Sequence, residues 1–210
     1  MVLITAQEII DLAILTAALG YIFSGFIKRP RDILDYLRPS LAFDDIKYAA
    51  MIVAPAVILH ELAHKGVGLF FGFDSVLHIS VWGLGIGIML RFIRSPIIFF
   101  IPAFVTSTAA HTFPEQFAFL ALAGPAANFA LYWLSDWALL SKRWPKHNNA
   151  FIISRRINLW LLILNMIPFG FFDGAKVLAG SPTLYFSALI IGGMLINRNE
   201  KKWKNYSLRF

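Results

Sequence analysis

Residues 46–71 read IKYAAMIVAPAVILHELAHKGVGLFF, a run apolar from Tyr48 onward except for His60-Glu61-Leu62-Ala63-His64-Lys65 in its second half. A helix crossing about 30 Å of hydrocarbon needs roughly 20 mostly apolar residues, and this stretch supplies them. A charged side chain at the centre of a spanning helix costs about 2.5–3.5 kcal/mol on insertion scales, so an inert span would not carry such a cluster. Ionisable residues at membrane depth are a functional hypothesis by default.

Outward from this run, the intervals 12–27, 116–135, 157–172 and 177–197 contain no Asp, Glu, Lys or Arg. Together they predict a polytopic membrane bundle of about five helices. The whole chain agrees: of 210 residues 58% are apolar and 15% charged, with 20 Phe and 6 Trp, against roughly 45–50% and 25% in soluble domains. A water-soluble globule is excluded. The first span does not read as a cleavable signal peptide, because no basic residue precedes it and Glu8 and Asp11 stand where a positive region is required.

Residues 74–110 break the helical pattern. Val76, His78, Ser80 and Trp82 recur at period two and Gly83, Gly85 and Gly87 follow it, which predicts a small membrane-embedded β-hairpin or strand region between the second and third spans. Pro96 and Pro102 interrupt 95–110, so that segment reads as re-entrant or interfacial, shielded by the helices. Residues 28–45 and 141–149 are polar loops and the tail from Arg198 is basic. No repeat or second domain is evident: 1–210 is a single unit with its core at 46–180 and peripheral spans at about 8–27 and 177–197.

The net charge of +7 does not indicate nucleic acid, since the 19 Lys and Arg fall in short groups between apolar runs. No nucleotide-binding domain is evident either. Five of these residues lie in 28–47, five in 142–156 and five from Arg198 onward. With five spans the three groups share one face, which the positive-inside rule makes cytoplasmic. The absence of Cys removes disulfides and thiolate sites, so any metal must be held by His and carboxylate.

His60-Glu61-Leu62-Ala63-His64 is an H-E-x-x-H sequence. On a helix it places two imidazoles at i and i+4 on one face, with Glu61 about 100° round, near enough to reach a water at the metal without being a ligand. A hydrolytic zinc site needs a third ligand and an open fourth position. A third His six residues on is missing, because position 70 is Phe70 and Val67 replaces the expected Gly. The only downstream Glu residues are Glu115 beside Pro114 and Glu200 in the basic tail; the remaining candidate is Asp173 in Asn165-Met166-Ile167-Pro168-Phe169-Gly170-Phe171-Phe172-Asp173-Gly174. Asp173 is favoured, since Pro168 and Gly170 break the preceding helix and can turn an acidic side chain inward.

These motifs resemble the intramembrane zinc metalloproteases called site-2 proteases. H-E-x-x-H is followed at the family's spacing by N-x-x-P-x-x-x-x-D-G (Asn165, Pro168, Asp173, Gly174), and Gly124-Pro125-Ala126-Ala127-Asn128 is similar to the family's G-P-x-x-N element. The resemblance covers roughly residues 46–180. It implies His60, His64 and Asp173 as Zn2+ ligands, Glu61 as the general base, and Asn165 as a substrate-positioning residue, a role also weighed for Asn128. It further implies cleavage of a peptide bond within or near a membrane span of a protein substrate, in the cell membrane of a prokaryote. The family's zinc site lies towards the cytosolic leaflet, opposite to the orientation given by the basic groups; a miscounted span within 95–110 would reconcile them. Phe171, Phe172 and Ala175 depart from the family pattern and bear on substrate shape.

The alternatives are a polytopic metal-ion transporter and a non-catalytic membrane scaffold. Transport would not need Glu61 between the two His, and a silent scaffold would be free to lose a ligand or the base. His78, His111 and His147 have no partner at ligand spacing, and Gly83, Gly85 and Gly87 lack the following helix of a phosphate loop.

Overall fold

The computed structural model describes residues 4–30, 42–96, 103–107 and 113–207. In chain order it contains α1 (Ala6–Phe23), α2 (Ala42–Phe70), β1 (Ser75–Ile79), α3 (Val81–Phe92), β2 (Ala103–Ser107), α4 (Pro114–Ser141), α5 (Asn148–Asn165), α6 (Asp173–Gly180) and α7 (Pro182–Ser207). Among the described residues three helices are long and apolar enough to cross a membrane: Ala6–Phe23, Phe43–Phe70 and Pro114–Ser141.

These are three of the about five spans expected; the two remaining apolar intervals are divided differently from their sequence pattern. The 157–172 interval is helical only to Asn165, because Pro168 cannot continue the ladder and Gly170 adopts φ 68°. The 177–197 interval is divided between α6 and α7, which part at Ser181 and Pro182.

α4 is the central element and packs on α2, α5 and α6, while α1 lies against α2. α2 and α4 run antiparallel: His64 meets the Leu120 carbonyl, and two turns back the Ala56 carbonyl meets Asn128. The larger apolar core joins Leu15, Leu19 and Ile22 of α1 to Ile52, Val53 and Val57 of α2. Gly20 permits this approach, since a Cβ there would stand 2.8 Å from the Ile46 carbonyl oxygen. A second cluster, Ala118, Ala121, Met166, Val177 and Tyr185, docks α6 and α7 on α4.

The predicted strand region is real but shorter than its pattern. β1 and β2 form an antiparallel pair with Leu77 opposite Val105. Between them Val81–Phe92 is a helix, capped by the Ser80 hydroxyl accepting the Gly83 amide. The glycines that suggested a strand also fit a helix, with Gly83 and Gly87, four apart, both buried. The re-entrant reading of 95–110 lies partly outside the described residues; within it Ala103–Ser107 is β2.

Glu8 ties three elements together. It belongs to the capping box of α1 with Thr5, and its carboxylate also accepts from Lys65 Nζ on α2 and, at 2.9 Å, from the Leu77 amide on β1. The side chain is buried. Far along α4, Arg155 bridges Asp136 and Glu200, and Tyr132 donates to Glu200 at 2.7 Å. This polar lock fastens the end of α7 to α4 and α5. At the same end Lys28 pairs with Asp45, at 3.2 Å. His60 is fifteen residues, about 22 Å, along α2 from Asp45, so the basic groups gather away from the histidines.

Candidate metal centre

α2 presents His60 and His64 on one face, as its period requires, with ring centroids 4.7 Å apart and Nε2 atoms 3.1 Å apart. The third group arrives from a distant part of the chain. After α5 ends at Asn165, the chain turns and α6 begins at Asp173. Gly174 makes that turn possible: a Cβ there would fall 2.5 Å from the Met166 carbonyl oxygen, inside any permitted contact. Asp173 Oδ2 thereby reaches His60 Nε2 at 3.1 Å and His64 Nε2 at 3.2 Å. All three residues are buried, and the three atoms form a group able to hold a metal ion.

The chemistry of the donor set supports the same fit. Ligand atoms about 2.0 Å from a tetrahedral ion are separated by roughly 3.3 Å, close to the triangle found here. Each imidazole also has its other nitrogen engaged. His64 Nδ1 lies 2.8 Å from the Leu120 carbonyl, which can only accept, so Nδ1 carries the proton. His60 Nδ1 lies 2.6 Å from Asn128 Oδ1, and the Asn128 amide donates at 3.0 Å to both the Ala56 carbonyl and Asn158 Oδ1, which fixes its oxygen towards His60. Both Nε2 atoms thus turn lone pairs towards a carboxylate oxygen. A proton bridges two such acceptors, whereas a metal ion satisfies all three.

Space is provided by α4. A Cβ on Gly124 would stand 2.4 Å from His64 Nε2 and 2.5 Å from His60 Nε2, so only glycine leaves that side of the ligand atoms open. Glu61 is buried beside the three converging groups, within electrostatic reach of all of them and of Lys176. Lys176 donates at 3.0 Å to Asp173 Oδ1, the oxygen turned away from the imidazoles.

Of the residues singled out in the sequence, His60, Glu61, His64, Asp173 and Asn128 come together. Asn165 does not join their hydrogen bonds; its side-chain amide donates to the Leu161 carbonyl of its own helix at 3.0 Å. Glu115 is exposed in the first turn of α4, and Glu200 belongs to the polar lock. His78 is exposed on β1 against Phe104, His147 is exposed on a single 3₁₀ turn at Pro145–His147, and His111 lies outside the described residues. Asn158 and Lys176 escaped the sequence reading. An Asn within an otherwise apolar interval was the available signal for the first, and a Lys one turn beyond a candidate ligand for the second.

The chain is 30% identical, over 180 residues, to a protein of Methanocaldococcus jannaschii named "Putative zinc metalloprotease MJ0611"; the matched region spans 85% of this chain and 87% of that one. No family model matches, and no solved structure matches significantly.

Proposed function

Since the chain belongs to the zinc metalloprotease family of this archaeal relative, we propose that it is an intramembrane zinc endopeptidase that cuts membrane-spanning protein substrates, in the cell membrane of a prokaryote. The observation that carries this reading is the convergence of His60 and His64, on a helix long enough to span a bilayer, with Asp173 of α6, and Glu61 beside them. His60 and His64 lie about 9–15 Å back from the end of α2 at Phe70, inside the hydrocarbon if α2 spans it.

His60, His64 and Asp173 would hold the zinc, leaving a fourth position open. When bound, zinc lowers the pKa of a coordinated water towards about 7 and polarises the scissile carbonyl. Glu61 takes the proton of the attacking water and delivers it to the leaving amine, a general acid/base role worth about 10²–10⁴ in rate. Asn128 and the Leu120 carbonyl keep both imidazoles in the tautomer that points Nε2 inward.

The substrate must present an unwound segment, because a peptide bond within an intact helix is shielded by its own turn. The sheet offers an edge for it. In an antiparallel pair the amides alternate between facing the partner strand and facing outward. The Leu77 amide bonds to Glu8, which puts it on the outer side of β1 and closes that edge. Val105, opposite Leu77, then faces outward from β2, where among the described residues no third strand follows. Strand addition along Ala103–Ser107 is the docking mode this arrangement favours.

The test is zinc content together with cleavage of a single-span substrate by purified wild type and Glu61→Gln. Expected are about one zinc per chain in both and hydrolysis by the wild type alone, because the amide cannot take the proton and was never a ligand. Turnover by Glu61→Gln at the wild-type rate refutes the mechanism.

A further inference from the structure

The Asp173 carboxylate divides its oxygens between two tasks. Oδ2 faces both imidazoles, while Oδ1 accepts a hydrogen bond from Lys176 Nζ at 3.0 Å. A carboxylate with both oxygens free binds an ion through one or through both. Two-pronged binding at a site of two imidazoles and one carboxylate fills the position that a hydrolytic metal keeps open. We propose that Lys176 is a positioning residue that holds Oδ1 aside, so that Asp173 binds through Oδ2 alone and the fourth position stays available.

This rests on the metalloprotease reading above. Its geometry follows from α6, which brings residue 176 one turn above residue 173. Stabilisation of α6 is a poor alternative account. The Lys176 side chain is 41% exposed, and i,i+3 pairs at such positions contribute little. The Asp173 side chain, by contrast, is only 6% exposed, and its other oxygen already belongs to the converging triangle. Lys176 also completes a pattern, since the atom turned away from the centre has a partner in each ligand: Asn128 for His60, the Leu120 carbonyl for His64 and Lys176 for Asp173.

Co2+ substitution reads this directly, because its visible d–d absorption is strong in four-coordinate sites and weak in five- or six-coordinate ones. Wild type, Lys176→Met and Lys176→Arg would be purified in detergent, loaded with Co2+ and compared by visible spectrum, metal stoichiometry and turnover. Expected are a strong four-coordinate band in the wild type and a marked loss of intensity in Lys176→Met at unchanged stoichiometry. Turnover in that variant should fall about 10- to 100-fold, and Lys176→Arg, which keeps a cationic donor, should restore both. Lys176→Ala serves the same purpose if the Met variant does not fold. A Lys176→Met spectrum indistinguishable from wild type, or a wild-type band already of the weak kind, overturns the assignment of Lys176 alone. Failure of the wild type to take up Co2+ or Zn2+ overturns the metalloprotease reading and this inference with it.

Discussion

His60 Nδ1 lies 2.6 Å from Asn128 Oδ1, and the same Asn128 amide donates at 3.0 Å to the Ala56 carbonyl one turn before His60. One side chain therefore holds both the imidazole and the turn of α2 that carries it. Loss of such partners behind a ligand costs about 10–100-fold in metal affinity, and Asn128→Leu is expected to show a loss of this size in competition with a chelator. Asn158→Leu should lose less, because the Ala56 carbonyl still orients the Asn128 amide. Wild-type zinc affinity in Asn128→Leu would mean that this bond does not set the His60 tautomer.

Gly124→Ala tests the open side of the site. The added methyl would stand within 2.5 Å of both Nε2 atoms, so zinc binding should be lost although no ligand is changed. Gly66→Ala on α2 meets nothing within 4 Å and is the matched control. Equal zinc content in the two variants would show that α4 does not approach the histidines as described.

The Glu8–Lys65 pair is buried, with both side chains under 5% exposed. Removing one member of such a pair leaves a charge without compensation and costs about 3–5 kcal/mol. Lys65→Met should lower the unfolding midpoint in detergent sharply. The double variant Glu8→Gln/Lys65→Met should recover much of the loss, since no isolated charge remains. If the single and double variants unfold alike, the pair does not join α1 to α2.

Substrate choice should follow helix stability. Relative to Ala, Gly weakens a helix by about 1 kcal/mol and Pro by about 3, so a substrate span with either near the scissile bond should be cut faster than one rebuilt from Leu and Ala. Initial rates on two otherwise identical single-span substrates decide this. Equal rates at equal binding would show that unwinding does not limit the reaction and would remove the case for strand addition on β2.

The sequence by itself determined that the chain has helices long and apolar enough to cross a membrane, the two-imidazole helix face and the candidates for the metal's remaining ligand. Apolar run length and i,i+4 spacing are local properties that no distant contact alters. It could not place the helix ends, because hydropathy cannot see where Pro168, Gly170 and Pro182 interrupt a helix within an apolar interval. It also read Gly83, Gly85 and Gly87 as strand, since glycines at period two fit a helix equally well once two of them face a neighbour. The sequence favoured Asp173 over Glu115 and Glu200, but only the tertiary structure brings its carboxylate to the two imidazoles, because that approach depends on Gly174 pressing against the Met166 carbonyl and bringing α6 beside α2, more than a hundred residues away along the chain. The same holds for Gly124, Asn128, Asn158 and Lys176. Their parts are set by atoms on other helices or one turn away, and a hydrogen bond of 3 Å is a property of folded geometry that residue type does not carry.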